Sequence, residues 1–205
     1  MFNGLIREIA KVQSYQNNTL SLKAKYRPNL GDSIAVNGAC LSVTKLYEGG
    51  FEVELSRESR THIAIENLKD KVHIEPALRY GDRIDGHLMQ GHIDFIGTLE
   101  KIQKDENGVD FYISLPKEAM KFIAEKGSIG VDGVSLTINE ILKNGIRLTI
   151  IPITFKETLF KDYQVGRKIN IESDLLARYI YAQLQGKNKD YHGKKWKEFL
   201  IFIRK

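Results

Sequence analysis

The sequence predicts an all-β chain with short helices: two tandem six-stranded Greek-key β-barrels related by duplication, then one C-terminal α-helix. Three observations predict it. A motif of the first half recurs in the second at a constant spacing. Each half breaks into short apolar or alternating runs punctuated by Gly, Asn and Asp, the pattern of a small closed barrel. A single amphipathic segment follows the second half and has no counterpart after the first.

The repeat is clearest where Val36-Asn37-Gly38-Ala39-Cys40-Leu41-Ser42-Val43-Thr44-Lys45-Leu46 aligns with Val131-Asp132-Gly133-Val134-Ser135-Leu136-Thr137-Ile138-Asn139-Glu140-Ile141 at an offset of 95. The offset continues through two turn dipeptides, Gly49-Gly50 and Asn144-Gly145, both suited to tight hairpins. Upstream, Gly4 to Ile9 resembles Gly91 to Ile96 at an offset of 87, so eight residues are inserted in the second half. The segment from Pro116 to Glu125 accommodates them as a short helix with Pro in its first turn.

In chain order the expected strands cover 2–15, 19–26, 31–36, 40–47, 51–56 and 71–76, then 91–102, 109–115, 127–131, 135–142, 146–151 and 167–171. Short helical stretches follow the fifth strand of each half, near Ser59 to Asn67 and Thr154 to Phe160. The first barrel is assigned to residues 1–86, the second to 87–173, a helix to 174–186 and a basic tail to 187–205. Ser173-Asp174 caps that helix and Gly186 stops it, with Leu176, Tyr179, Ile180, Gln183 and Leu184 along one side. Such a stripe needs a second apolar surface, supplied by self-association or by the chain's own barrels.

The formal charge of +5 resides in the tail, whose seven basic residues face two acidic ones, and the rest of the chain carries 24 of each. A neutral body argues against a nucleic-acid-binding face, and the cationic, aromatic-bearing tail reads as a solvated extension. No apolar run approaches the roughly 20 residues of a membrane helix. One cysteine and a start without a secretory pattern lead to the expectation of a cytoplasmic protein.

Period-two geometry puts Cys40 and Ser42 on one face of a strand, and Ser135 and Thr137 on the equivalent face of its repeat. One face of each strand enters the core; the other offers small hydroxyl or thiol groups and nearby amides to a heterocyclic ligand. Cys40 has no neighbouring His or basic partner in sequence and reads as a small buried hydrophobe ahead of a nucleophile. His87 and His92 stand five apart, on opposite faces of a strand, and no further ligand completes a metal set. His92 shares a face with Asp94 and reads as a proton carrier or a structural histidine.

Four segments together resemble one family: Met1-Phe2-Asn3-Gly4, Asn37-Gly38-Ala39-Cys40-Leu41, Gly86-His87-Leu88-Met89-Gln90-Gly91-His92 and Gly130-Val131-Asp132-Gly133-Val134-Ser135-Leu136-Thr137. Their order and spacing are similar to riboflavin synthase of the alpha chain type over roughly residues 1–186. The resemblance implies dismutation of two 6,7-dimethyl-8-ribityllumazine molecules without a cofactor, giving riboflavin and 5-amino-6-(D-ribitylamino)uracil, with a non-catalytic lumazine or flavin carrier as the alternative. It implies two lumazines per active site, a homotrimer in which the first barrel of one subunit faces the second barrel of another, and lumazine synthase as an associated partner.

Carried over by motif, the first site would use Gly4, Leu5, Ile6, Cys40, Leu41, Ser42, Glu54, Leu55, Ser56, Arg57, Glu58 and Ser59. The second would use Gly91, His92, Ile93, Lys126, Ser135, Leu136, Thr137, Thr149, Ile150, Ile151, Pro152, Ile153 and Thr154. The roles implied are proton transfer by His92 with Ser135 or Thr137, acceptor activation by Cys40 and Ser42, and completion of the inter-subunit site by Asp174. Ser42 replaces the Thr usual in the family and keeps its hydroxyl.

Overall fold

The computed structural model describes residues 1–106 and 108–186, so the basic tail lies outside the described residues. The first sheet contains β1 (Glu8–Gln16), β2 (Thr19–Lys23), β3 (Ser33–Val36), β4 (Ala39–Tyr47), β5 (Gly50–Glu54) and β6 (Lys71–Pro76). It closes as an antiparallel barrel in the order β1-β2-β5-β4-β3-β6. Strands β3, β4 and β5 are successive hairpins and β6 returns beside β3, which is a Greek key. Strict alternation sends Leu20 and Leu22 of β2, and Phe51 and Val53 of β5, into the core while their neighbours face outward.

The second sheet contains β7 (Phe95–Asp105), β8 (Gly108–Ser114), β9 (Ser128–Val131), β10 (Val134–Thr137), β11 (Glu140–Leu142), β12 (Gly145–Ile150) and β13 (Lys168–Ser173). It has seven strands where six are expected, in the order β10-β9-β13-β7-β8-β12-β11. The extra strand is a break in the counterpart of β4. Asn139 sits at the break, donating its N–H to Arg147 O at 3.0 Å and accepting the Thr149 N–H on its side-chain oxygen at 2.7 Å. A side chain there replaces a ladder bond, so the two sheet edges are consecutive pieces of one stretch of chain. Phe111, Phe160 and Tyr163 fill this barrel with edge-on and stacked rings.

The helical expectations hold in place but not in length. After β5 come α1 (Arg57–His62), capped by Ser56 accepting the Ser59 N–H at 3.0 Å, and a 3-10 turn at Ile65–Asn67. After β12 come α2 (Pro152–Glu157) and a 3-10 turn at Leu159–Asp162. The helix expected over 116–125 is only a 3-10 turn, Ala119–Phe122. Phe122 is held between Phe95 and Tyr181, at 5.9 and 5.0 Å, and Lys126 N already bonds Ile138 O at 2.8 Å, so little chain is left to coil.

The final helix, α3 (Leu175–Gly186), begins where the Asp174 side chain accepts the Leu176 N–H at 2.7 Å. Tyr181 turns back onto Phe122 of its own chain, whereas Leu176, Tyr179, Ile180 and Leu184 are exposed. Of the two uses foreseen for the helix, packing against its own chain occurs on the Tyr181 face, and the stripe of Leu176, Tyr179, Ile180 and Leu184 stays uncovered.

The two barrels meet about a local pseudo-twofold axis. Asn37-Gly38 and Asp132-Gly133 form hairpin turns with positive φ at both residues, as type I′ geometry requires. The turns lie back to back: a Cβ on Gly38 would stand 2.7 Å from Gly133 N, and one on Gly133 2.8 Å from Gly38 N. Only glycine permits this approach. On either side, equivalent residues of β6 and β13 reach across. Asn170 donates to Asn37 O at 2.8 Å and accepts from Ala64 N at 2.7 Å. His73 donates from Nδ1 to Asp132 O at 2.9 Å and accepts the Leu159 N–H on Nε2 at 2.8 Å. Burial lowers the His73 pKa to about 4, so the ring stays neutral as this bonding needs.

Strands expected from residues 2 and 91 begin at Glu8 and Phe95 instead. The leading segments have been drawn out of their own ladders. Glu75 accepts the N–H groups of Asn3 and Gly4 at 2.7 and 3.0 Å, and Glu172, its equivalent, accepts those of Gln90 and Gly91 at 2.7 and 2.9 Å. Phe2 and Met89 then pair antiparallel through two backbone bonds of 2.8 and 3.1 Å, both side chains buried beside Ala35. Burying each contributes about 1.5–3 kcal/mol.

Candidate active site

The crossing of these segments determines which residues share a pocket. Gly91 O accepts the Cys40 N–H at 2.8 Å, and Gly4 O accepts the Ser135 N–H at 2.8 Å. Each barrel's leading segment thus lies along the other barrel. Both glycines have φ +76, and a Cβ on either would fall within 2.6 Å of the partner's Cβ. Ile93 accordingly packs on the first core and Ile6 on the second. The grouping inferred by motif is therefore corrected: Gly91, His92 and Ile93 belong with Cys40, and Gly4, Leu5 and Ile6 belong with Ser135. Motif spacing equates the segments without saying which barrel each one joins.

The first site is a cavity of about 550 Å³, within the range of small-molecule pockets. It is lined by Ala39, Cys40, Ser56, Glu58, Ser59, His62, Ile63 and the stretch Gly91, His92, Ile93 and Asp94. Seven of the expected residues meet here: Cys40, Ser56, Glu58, Ser59, Gly91, His92 and Ile93. Leu41 and Leu55 do not, because alternation turns them into the core at 3% and 2% exposure. Ser42, Glu54 and Arg57 are exposed but stand outside the lining. His62, Ile63, Ala39 and Asp94 line it as well, though none is among the site residues the sequence leads one to expect. His62 is brought in by α1, where its Nδ1 lies 2.9 Å from Glu58 O, and no spacing signal marks it.

At the second site Ser135 Oγ lies 2.7 Å from His87 Nδ1. The histidine paired with Ser135 is therefore His87, not His92, and its other ring nitrogen is buried with no partner among the described residues. Burial lowers the His87 pKa, opposed by the charge of Asp174 nearby, so the neutral ring can exchange a proton with the hydroxyl. Asn3 places this histidine: it accepts the Gly86 N–H on its side chain at 2.7 Å and the His87 N–H on its carbonyl at 3.3 Å. The run from Gly86 to His92 carries two histidines, and only the crossing of the chain aims one of them at Ser135.

The remaining expected residues divide. Thr137 is exposed on the same face as Ser135, and Leu136 is half-buried, packing on the second core. Thr149 donates its hydroxyl to Asp110 at 2.6 Å and is occupied there, while Ile150 is fully buried. Ile151, Pro152 and Ile153 are exposed around the start of α2, with Thr154 half-buried behind them. Lys126 is not brought to Ser135 within the chain. It lies beyond the open end of the β9–β10 hairpin, past the Thr137–Ser128 pair, while Ser135 stands near the turn. Among the described residues no cluster of His, Cys, Asp and Glu is arranged to hold a metal ion.

Two related sites, each walled by the other barrel's leading segment and one of them a cavity of small-molecule size, define a protein of two tandem, like domains. The sequence profile of the lumazine binding domain matches residues 3–77 and 90–174. The chain is 35% identical over 190 residues to riboflavin synthase of Photobacterium leiognathi, covering 88% of this chain and 87% of that one. It is 34% identical over 199 residues to riboflavin synthase of Bacillus subtilis (strain 168), with 93% of each chain covered. Crystal structures of LumP with riboflavin and with 6,7-dimethyl-8-(1'-D-ribityl) lumazine superpose with TM-scores of 0.76 and 0.72. Each covers 84% of this chain and 99% of the other; at 20% and 21% identity they show the shared fold. The chain belongs to the riboflavin synthase family of lumazine-binding-domain proteins.

Proposed function

We propose that this chain catalyses the dismutation of 6,7-dimethyl-8-ribityllumazine, transferring a four-carbon unit from one molecule to a second. The products are riboflavin and 5-amino-6-(D-ribitylamino)uracil, and the activity is that of a transferase in riboflavin biosynthesis. The observation that carries the reading is the pair of related but chemically unlike sites. One lines its cavity with Cys40 and His92; the other joins Ser135 to His87. Identical substrates that must act as donor and acceptor need such unlike hosts.

The substrate brings the reactive groups, since its 7-methyl protons are acidic and its imine carbon electrophilic. Together two lumazines hold all the atoms of the two products, so the balance needs no co-reactant. The protein's part is to hold two rings face to face and to move protons. His87 takes or returns a proton through the Ser135 hydroxyl, while His92 and Cys40 serve the partner ring in the first pocket. Asp174, beside His87, favours the protonated imidazole that forms in passing.

The two sites of one chain lie on different barrels, and in this reading the reacting pair forms where the first barrel of one subunit meets the second of another. A homotrimer, with the exposed stripe of α3 covered and Lys126 supplied across the interface, is the assembly we propose. No helix among the described residues is long and apolar enough to cross a membrane, and a cytoplasmic location and an association with lumazine synthase complete the reading. The test is to incubate the purified chain with the lumazine and follow riboflavin absorbance. Bound but unchanged chromophore would make it a carrier. Mass by ultracentrifugation, with Leu176→Glu and Ile180→Glu expected to fall to monomer, tests the assembly.

A further inference from the structure

We propose that Arg178 is a positioning residue for the first pocket, tying α3 to the segment that walls it. The inference rests on the pocket's assignment to lumazine given above. The Arg178 side chain is only 20% exposed. Its guanidinium meets Gln90 Oε1 at 2.9 Å, Asp94 Oδ1 at 3.2 Å and Glu172 Oε1 at 3.4 Å. All three hold the wall. Gln90 and Asp94 flank Gly91, His92 and Ile93, and Glu172 accepts the Gln90 and Gly91 N–H groups.

From Gly91 the chain of contacts runs to the Cys40 N–H. The first turns of α3 and the floor of the pocket are thus joined through Arg178, a single carboxylate and one glycine. Without the guanidinium, Asp94 and Glu172 would face each other as uncompensated acids, and their repulsion would fall on the segment between them. Asp94 is fixed from behind by Ser173, whose N–H and hydroxyl reach it at 2.8 and 2.7 Å, so the segment itself would move.

Among the described residues the second site has no such tie. Glu75 holds Asn3 and Gly4 as Glu172 holds Gln90 and Gly91, but the position equivalent to Arg178 is Gly81, in a turn. Among the described residues, the Cys40 pocket is the one tied to α3 by a guanidinium; the second site meets the helix only at its cap, through the charge of Asp174 near His87. The exposed stripe of α3 is on that same helix, so covering it and seating the wall of the first pocket are coupled events, and assembly tunes one pocket more than the other.

Cys40 is the only cysteine of the chain, so its alkylation by iodoacetamide reports on this pocket alone. In the full chain, Arg178→Met is expected to alkylate several-fold faster and to raise KM for the lumazine about tenfold, equivalent to about 1.4 kcal/mol. Expected besides is a kcat near the wild-type value, with Arg178→Lys restoring part of both changes. Wild-type alkylation and KM in Arg178→Met, with only a lower Tm, would overturn the proposal. If Arg178→Met does not fold, Gln90→Ala removes one contact and leaves the helix intact; unchanged alkylation there overturns it equally. A wild-type chain that forms no riboflavin refutes the functional reading, and the alkylation rates still decide Arg178.

Discussion

Replacing His73 by Asn puts into the first barrel the residue that does the same crossing work in the second, at Asn170. At pH 8 the variant is expected to be less stable by about 1–3 kcal/mol, because the ring's edge contact with Phe160, at 5.9 Å, is lost and a void replaces it. The informative quantity is how that deficit changes with pH. An unfolded His73 takes up its proton near 6.5, whereas burial holds the folded ring neutral to about 4. Between those values the unfolded state binds the extra proton, so the stability this group contributes is lost as pH falls. At pH 4.5 the loss amounts to about 2.6 kcal/mol in the wild type and is absent from the variant. Buried carboxyls such as Glu75, pushed up to about 7, act with the opposite sign but in both proteins alike, and cancel in the difference. Urea unfolding by circular dichroism at fixed protein concentration should show the deficit closing or reversing between pH 8 and 4.5. A deficit independent of pH would refute the neutral, doubly bonded His73.

Gly38→Ala should cost well over 2 kcal/mol in urea unfolding, because its Cβ meets the Gly133 backbone at 2.7 Å. Gly49→Ala, with similar φ and nothing within 4 Å, should cost only about 1 kcal/mol of backbone strain; equal costs would discount the close approach of the turns. Ser135→Ala and His87→Gln are each expected to lower kcat by about 10²-fold, with little further loss when combined, since the pair acts as a unit. Since burial lowers the His87 pKa, the acid limb of the wild-type rate profile should fall below the usual histidine range and vanish in His87→Gln. An additive double variant would separate the two residues.

Much was legible in the chain itself. The offset of 95 and the punctuated runs are local patterns, and local patterns suffice for strands, hairpins and duplication: β4 and the β10–β11 pair fall where the repeat puts them. The strand faces of Cys40 and Ser135 were legible for the same reason, since a period of two is a property of the backbone. The break at Asn139, the shortened turn at Ala119–Phe122 and the partner of Ser135 were not. Each depends on a contact between residues far apart in sequence.

The membership of each pocket shows the division most plainly. Repetition established that Gly4 and Gly91 are equivalent, and that Cys40 and Ser135 are equivalent. It left open whether each glycine serves its own barrel or the other one, because both pairings satisfy the same spacing. The fold decides it. Glu75 and Glu172 draw the leading segments out of their own ladders, Phe2 and Met89 pair between the barrels, and the pseudo-twofold carries each glycine to the opposite strand. The sequence by itself determined two barrels and the chemistry each could offer; only the packing of one against the other determined which groups stand together, because that packing is a long-range contact with no periodic trace.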